Sequence, residues 1–251
     1  PKGLPAVKLA AVSPGLMRPG LFYSSRHTSM NKLILAALLA SLVPSAAWAS
    51  DLAIKVEHEI TTLSADGVTR VTRFGERLIR RDNHSWVARI IPAGAHEEAD
   101  HHTAGKGHKH MDIAAASRWV ELGNDGKLRV RIVNAHEKVT VDITPVDYNN
   151  IGFDGKWTTA SQLLDPEQIK RMKAITRSAP AGARWYEGGT RDAKVQVLWD
   201  EKDNYPRRID SANAAGTSRS SMLVTREKMP AVMPWTQLKG YEQKEYSDLL
   251  D

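Results

Sequence analysis

The sequence contains no cysteine among its 251 residues. This absence excludes disulfides, thiolate catalysis, iron–sulfur clusters, c-type haem attachment and sulfur-rich zinc sites. The G-x-S-x-G, H-E-x-x-H, P-loop and G-x-G-x-x-G signatures are also missing. The sequence therefore predicts a protein that is stabilised by its hydrophobic core and is not an enzyme.

Acidic residues are missing from the beginning of the sequence. Five of the 35 basic residues and none of the 29 acidic residues lie in the first 49 positions. The remaining chain holds 30 basic and 29 acidic residues, a formal charge of +1. A nucleic-acid surface requires a basic footprint, which this part lacks in net terms. We therefore expect no nucleic-acid partner.

The one long apolar run, residues 33–43, is too short to span a bilayer, which needs about 20 residues. Lys32 precedes this run, and Ala47 and Ala49 place small residues before Ser50, as a signal peptidase requires. The pattern predicts a signal peptide over residues 30–49, cleavage between Ala49 and Ser50, and export to the periplasm. No transmembrane span is expected in the mature chain.

Residues 1–29 show no clear periodicity and contain no acid. We expect them to be an upstream extension of the reading frame outside the mature protein, with a long basic leader as the alternative. Residues 50–251 are long enough for one domain with a sizeable core. The sequence predicts that they form a single mainly β periplasmic domain.

Period-2 alternation is the main pattern of this domain. Ile54, Val56 and His58 alternate with charged residues, and residues 128–132 and 139–143 repeat the pattern. The position of His58 on an apolar face favours a hydrogen-bonded histidine at the edge of the core over a metal ligand. One helix is predicted over residues 165–175, with Asp165 as its cap and Pro166 in its first turn, and a weaker helical candidate lies just before it. The predicted fold is mainly β (α+β): a single curved antiparallel sheet, or an incomplete β-barrel, covered by one or two helices.

The layout resembles the periplasmic lipoprotein-carrier (LolA/RseB-like) superfamily. The resemblance rests on the signal peptide, on the strands "AIKVEHEI", "RVTRFGERLIRR" and "SWVARII", and on the late passage "KVQVLWDEKDNYPRRIDSANAAGTSRSSMLVTRE". It implies a half-barrel around helices that holds acyl chains in an apolar cavity, and partners such as a lipid, a lipidated protein or another envelope component. The family has no short ligand motif that matches residue by residue, so the resemblance carries no site residues over.

The stretch "HEEADHHTAGKGHKHM", residues 96–111, holds five of the nine histidines and is a departure from that family pattern. Imidazole binds zinc and copper, and a thioether suits reduced copper. The predicted metal ligands are His96, His101, His102, His108, His110 and Met111. A solvated loop without a ligand and a pH-sensing loop are the alternatives. No cofactor is required by the sequence, and zinc or copper handling is the second functional hypothesis after the carrier.

A second distinctive loop, "YNNIGFDGKW", places Tyr148, Phe153 and Trp157 around small and polar residues. Aromatic side chains offer large contact areas, so these three are predicted to line a ligand mouth. The alternative is a packed connection that leads into the helix.

Overall fold

The structure is a computed structural model that describes residues 51–91 and 115–249. The described residues contain twelve strands and two short α-helices. The strands are β1 (Leu52–Leu63), β2 (Thr69–Arg81), β3 (His84–Ile90), β4 (Ser117–Leu122), β5 (Leu128–Asn134), β6 (Val139–Ile143), β7 (Lys173–Ala174), β8 (Ala183–Gly189), β9 (Ala193–Asp200), β10 (Tyr205–Asn213), β11 (Ser218–Arg226) and β12 (Glu242–Glu245). The helices are α1 (Trp157–Gln162) and α2 (Pro166–Lys170), with 3-10 helices at Pro145–Ile151, Pro234–Gln237 and Tyr246–Leu249.

All twelve strands belong to one sheet, in the order β12-β6-β5-β4-β3-β2-β1-β11-β10-β9-β8-β7. The sheet is curved and unclosed, so the prediction of a mainly β fold built on one curved sheet is confirmed. Every pairing is antiparallel except that of β12 with β6, which is parallel. The prediction of a wholly antiparallel sheet is therefore wrong at this one edge, where β12 pairs in parallel with β6.

The two faces of the sheet follow from strand alternation and pairing register. Ile54 pairs with Leu78, and both contribute to one buried cluster. Val130 lies on the same face and packs with Ala160 of α1. We call this side the helix face. Ala53, Ile79 and Trp86 point to the opposite side, which we call the C-terminal face because residues 229–241 pack against it.

Buried polar contacts attach α1 to the helix face. The Arg80 guanidinium donates to the carbonyl of Ser161 at 3.0 Å, and the Ser85 hydroxyl donates to the carbonyl of Ala160 at 2.6 Å. The last carbonyls of a helix lack partners within the helix, so these donors satisfy groups that would otherwise be buried without partners. The helix is therefore held by hydrogen bonds as well as by apolar packing.

The predicted helix over residues 165–175 is shorter than expected. Asp165 caps it as predicted, accepting from the Glu167 backbone N–H at 3.0 Å. The helix ends at Lys170, and residues 173–174 pair with β8 instead. The weaker helical candidate just before it forms α1. Strand pairing at the sheet edge ends α2 after little more than one turn.

Candidate functional site

The C-terminal face is covered by a segment rich in proline, methionine and aromatic residues. Met233 is 7% exposed and packs in one cluster with Ile79, Trp86 and Val133 of the sheet. Partly buried side chains complete the cluster, namely Ala88, Trp119, Met229, Trp235, Leu238 and Tyr241. Packing of apolar side chains therefore holds this cover on the sheet.

The cover leaves a cavity of about 570 Å³ between itself and the sheet. We call it the C-terminal pocket. Its lining consists of Ala53, Arg77, Ile79, Trp86, Ala88, Glu227, Lys228, Pro230 and Pro234. Six of these nine residues are apolar, and the volume lies in the range that is typical of sites for small ligands. The geometry suits an apolar ligand with a polar end.

The three charged residues of the pocket include one ion pair. Arg77 donates to Glu227 through Nε at 2.5 Å and through Nη2 at 3.2 Å. The hydrogen bond from Arg77 holds the pKa of the Glu227 carboxyl below its ordinary value. Lys228 adds a further positive charge, so the charged part of the lining is net positive and favours an anionic ligand end.

The lining carries no hydroxyl, thiol or imidazole group, and its ionisable side chains are Arg77, Glu227 and Lys228. The pocket therefore presents an apolar surface beside three charged side chains.

A second group of functional side chains lies on the helix face, and we call it the charged cluster. It consists of His58, Phe74, Glu76, Arg89 and Arg118. His58 Nε2 lies 3.1 Å from Glu76 Oε2, which confirms the prediction of a hydrogen-bonded histidine. The Phe74 ring stacks on His58 at 4.3 Å between centroids, and the Arg89 guanidinium lies 3.8 Å from its centroid.

The charge balance of this cluster is set by one carboxylate. The hydrogen bond from His58 holds the pKa of Glu76 below its ordinary value, against the opposing effect of burial, with help from Arg118 and Arg89. Burial lowers the pKa of Arg118, whereas Glu76 and Asp154 act to raise it. Two guanidinium groups thus share one carboxylate that already has a histidine partner.

The three residues predicted to line a ligand mouth lie together at the core. Phe153 is 3% exposed and belongs to the cluster under α1, and Tyr148 and Trp157 pack against that cluster. The Tyr148 and Phe153 rings meet edge to face, with 5.0 Å between centroids. Their described contacts are with the core, and the ligand-mouth role remains a prediction.

Several predicted residues lie outside the described ranges. They are the cleavage positions Ala47, Ala49 and Ser50 and the metal ligands His96, His101, His102, His108, His110 and Met111. Within residues 51–91 and 115–249, no group of three or more histidine, aspartate or glutamate side chains is placed to hold a metal ion. The same residues include no helix that is long and apolar enough to cross a membrane.

The C-terminal pocket was not predicted from the sequence. Pro230 and Pro234 both line the pocket, and in a sequence proline indicates only that a strand or helix is interrupted. The one available signal was composition, since Met229, Met233 and Trp235 lie among these prolines in a segment with no strand or helix periodicity.

No family model matches the chain, and no curated protein matches it. Among solved structures, an uncharacterized conserved protein from Thermus thermophilus is 10% identical with a TM-score of 0.39, covering 76% of this chain and 90% of its own. A LolA superfamily protein from Nitrosomonas europaea is 10% identical with a TM-score of 0.27, covering 72% and 87%. The complex structure of Pseudomonas aeruginosa MucA/MucB is matched at 10% identity with a TM-score of 0.30, covering 75% and 55%. One of these matched structures is a LolA superfamily protein, the superfamily that the sequence layout resembles.

Proposed function

We propose that this chain is a non-enzymatic binding or carrier protein of the cell envelope that acts in the periplasm. In this proposal, the apolar part of a lipid, a lipidated protein or another envelope component lies in the C-terminal pocket, on the face of the sheet opposite the helices, and not in a half-barrel cavity around the helices as the resemblance implies. The observation that carries the proposal is the pocket itself, an apolar cavity of about 570 Å³ with two cations in its lining.

The energetics favour an acyl chain over a small polar molecule. Each methylene group moved from water into an apolar site contributes about 0.8 kcal/mol. Trp86, Ile79 and the two prolines provide the apolar surface, and Lys228 lies where a carboxylate or phosphate end can approach. A long apolar chain with one anionic end uses both parts of the lining.

Titration of the purified protein with a fluorescent fatty acid tests the proposal. Ala88 lines the pocket on β3, so Ala88→Leu should fill part of the cavity and weaken probe binding at least tenfold. Ala212→Leu is the matched control, because Ala212 is also half-buried and on the C-terminal face, but lies on β10 outside the pocket. Equal affinities in the two variants, or no saturable binding by the unmodified protein, would contradict the proposal.

Organic extraction provides an independent measurement on protein isolated from its own envelope. Mass spectrometry of the extract should detect a bound lipid or other apolar compound, in amounts lower for Ala88→Leu than for Ala212→Leu. The absence of any such compound from the unmodified protein would count against a carrier role.

A second proposal, metal handling through residues 96–111, rests on the five histidines in that stretch. Imidazole nitrogen and thioether sulfur are suitable ligands for zinc or copper. Zinc or copper titration should then give saturable binding that disappears when residues 96–111 are deleted. Unchanged binding after the deletion would exclude this stretch as the site.

A further inference from the structure

Arg118 is a half-buried cation on the helix face. It projects from β4, opposite Val87 of β3 and Ile132 of β5. Its Nε atom is buried and has no hydrogen-bond partner among the described residues. No ion pair within 4.0 Å joins it to a carboxylate among the described residues. A buried polar group of this kind is rare in native proteins and calls for a ligand or a water molecule.

The Phe153 ring lies near the Arg118 guanidinium but does not provide a hydrogen-bond acceptor for its Nε. Its guanidinium lies 5.4 Å from the centroid of the Phe153 ring. An aromatic ring stabilises a cation but accepts no conventional hydrogen bond from Nε. Phe153 is itself part of the core, so the ring offers the guanidinium a fixed wall. Within the residues that the structure describes, the Nε donor of Arg118 is therefore left without an acceptor.

Glu76, the nearby carboxylate, does not accept a hydrogen bond from Arg118 Nε. Glu76 is hydrogen-bonded to His58, and it also faces Arg89 directly across the β2–β3 pair. The side chains of His58 and Glu76 retain exposed fractions of 16% and 28%, so solvent reaches this part of the face. Asp154 also acts on the charge of Arg118, but it is exposed, and its carboxylate accepts from the Lys156 backbone N–H and the Thr159 hydroxyl.

We propose that the charged cluster is an anion-binding site in which Arg118 and Arg89 hold an oxyanion, a phosphate or a carboxylate. A guanidinium matches both groups because its N–H donors form a planar fork. The stacking of Phe74 between His58 and Arg89 restrains the second guanidinium, so binding requires less ordering of side chains. The site is separate from the C-terminal pocket, because the two lie on opposite faces of the sheet.

The test measures thermal unfolding midpoints of the full chain with increasing inorganic phosphate, and separately acetate, with sodium chloride holding the ionic strength constant. An anion that binds the folded state raises the midpoint, and at a given concentration the rise is larger for tighter binding. Arg118→Met should weaken the response about tenfold or more, and Arg118→Lys should weaken it less, because it keeps the charge and loses the fork. Arg129→Met is the matched control, since Arg129 lies on β5 with its side chain on the opposite face.

Nuclear magnetic resonance of the arginine Nε–H groups in the unmodified protein gives a second readout that does not depend on any variant folding. The Arg118 signal, identified by its absence from Arg118→Lys, should move as the anion is added. A larger response to phosphate or to acetate identifies which oxyanion the site prefers. The proposal is overturned if neither anion moves the Arg118 signal, or if Arg118→Met and Arg129→Met respond alike.

Discussion

The two faces of the sheet are covered in different ways. On the helix face, α1 and α2 pack over apolar clusters, and Arg80 and Ser85 hydrogen-bond to the end of α1. On the C-terminal face, the cover is a proline-containing segment with only a short 3-10 helix. Proline removes a backbone donor and interrupts helices, so this segment cannot present a continuous apolar stripe. The first cover is secured by specific polar contacts, and the second leaves a pocket.

The two kinds of cover suit different functions, namely holding the helices in place and admitting a ligand. Buried hydrogen bonds fix the helices in one position, which suits a face that holds the core together. Methionine and proline pack without such directional contacts, and methionine adapts to irregular spaces. The C-terminal face is therefore the one that we expect to admit an apolar ligand, whereas the helix face holds α1 through buried hydrogen bonds and carries the proposed anion site.

The largest expected effect tests whether the C-terminal cover is part of the folded core. Met233→Ala should lower the free energy of unfolding by about 3 to 4 kcal/mol, because a buried methionine is replaced by a cavity. The neighbouring Val232 is 56% exposed, so Val232→Ala should change stability by less than about 0.5 kcal/mol. Chemical denaturation measures both. Similar small losses would show that the segment is only loosely attached.

Two arginines on the helix face, Arg80 and Arg118, can be compared by substituting each with methionine. Arg80→Met should lower the free energy of unfolding by about 3 kcal/mol, because the Ser161 carbonyl loses a charged donor. Arg118→Met should be neutral, or stabilising by about 1 kcal/mol in the absence of oxyanions, because it removes a half-buried charge whose Nε has no hydrogen-bond partner among the described residues. Equal losses in the two variants would contradict the different roles assigned to them.

Part of the acid dependence of stability should come from Glu76 on the helix face. The pKa of Glu76 is lower in the folded protein than its ordinary value, chiefly through its hydrogen bond with His58. Its contribution is therefore complete above the unfolded pKa of about 4.3 and is lost as the pH falls through the lower, folded value. Glu76→Gln should remove about 1 kcal/mol at neutral pH and flatten this acid dependence.

Glu57→Gln is the control for this measurement, since Glu57 is an exposed glutamate on the opposite face of β1. It should leave both the stability at neutral pH and its slope below pH 5 close to those of the unmodified protein. An unchanged acid slope in Glu76→Gln would show that another group is responsible.

The part of the fold that depends on local alternation was predictable. Residues 128–132 alternate between apolar and basic side chains, and in the structure Val130 and Ile132 are buried whereas Arg131 pairs with Asp142 on the other face. The turn at Asp66-Gly67 also follows from the local sequence, because glycine readily adopts the positive φ of 82° found at Gly67. Short-range pattern and turn chemistry decide these elements.

The other features of the fold and the site depend on contacts between residues that are far apart in the sequence. The strand β12, Glu242–Glu245, carries no apolar alternation and forms only because β6 offers a free edge about a hundred residues earlier in the chain. The helix α2 ends early because residues 173–174 pair with β8. The contact between His58 and Glu76 joins two strands, so sequence indicated the histidine but not its carboxylate partner. The pocket depends in the same way on where residues 228–234 return to the sheet.

Quenching of tryptophan fluorescence by a brominated fatty acid tests the central claim most directly, because Trp86 lines the C-terminal pocket and Trp199 is buried on the helix face. The account predicts saturable quenching whose amplitude falls clearly in Trp86→Phe and is unchanged in Trp199→Phe. Quenching that is unaffected by Trp86→Phe, or that is lost in Trp199→Phe instead, would contradict a ligand site on the C-terminal face.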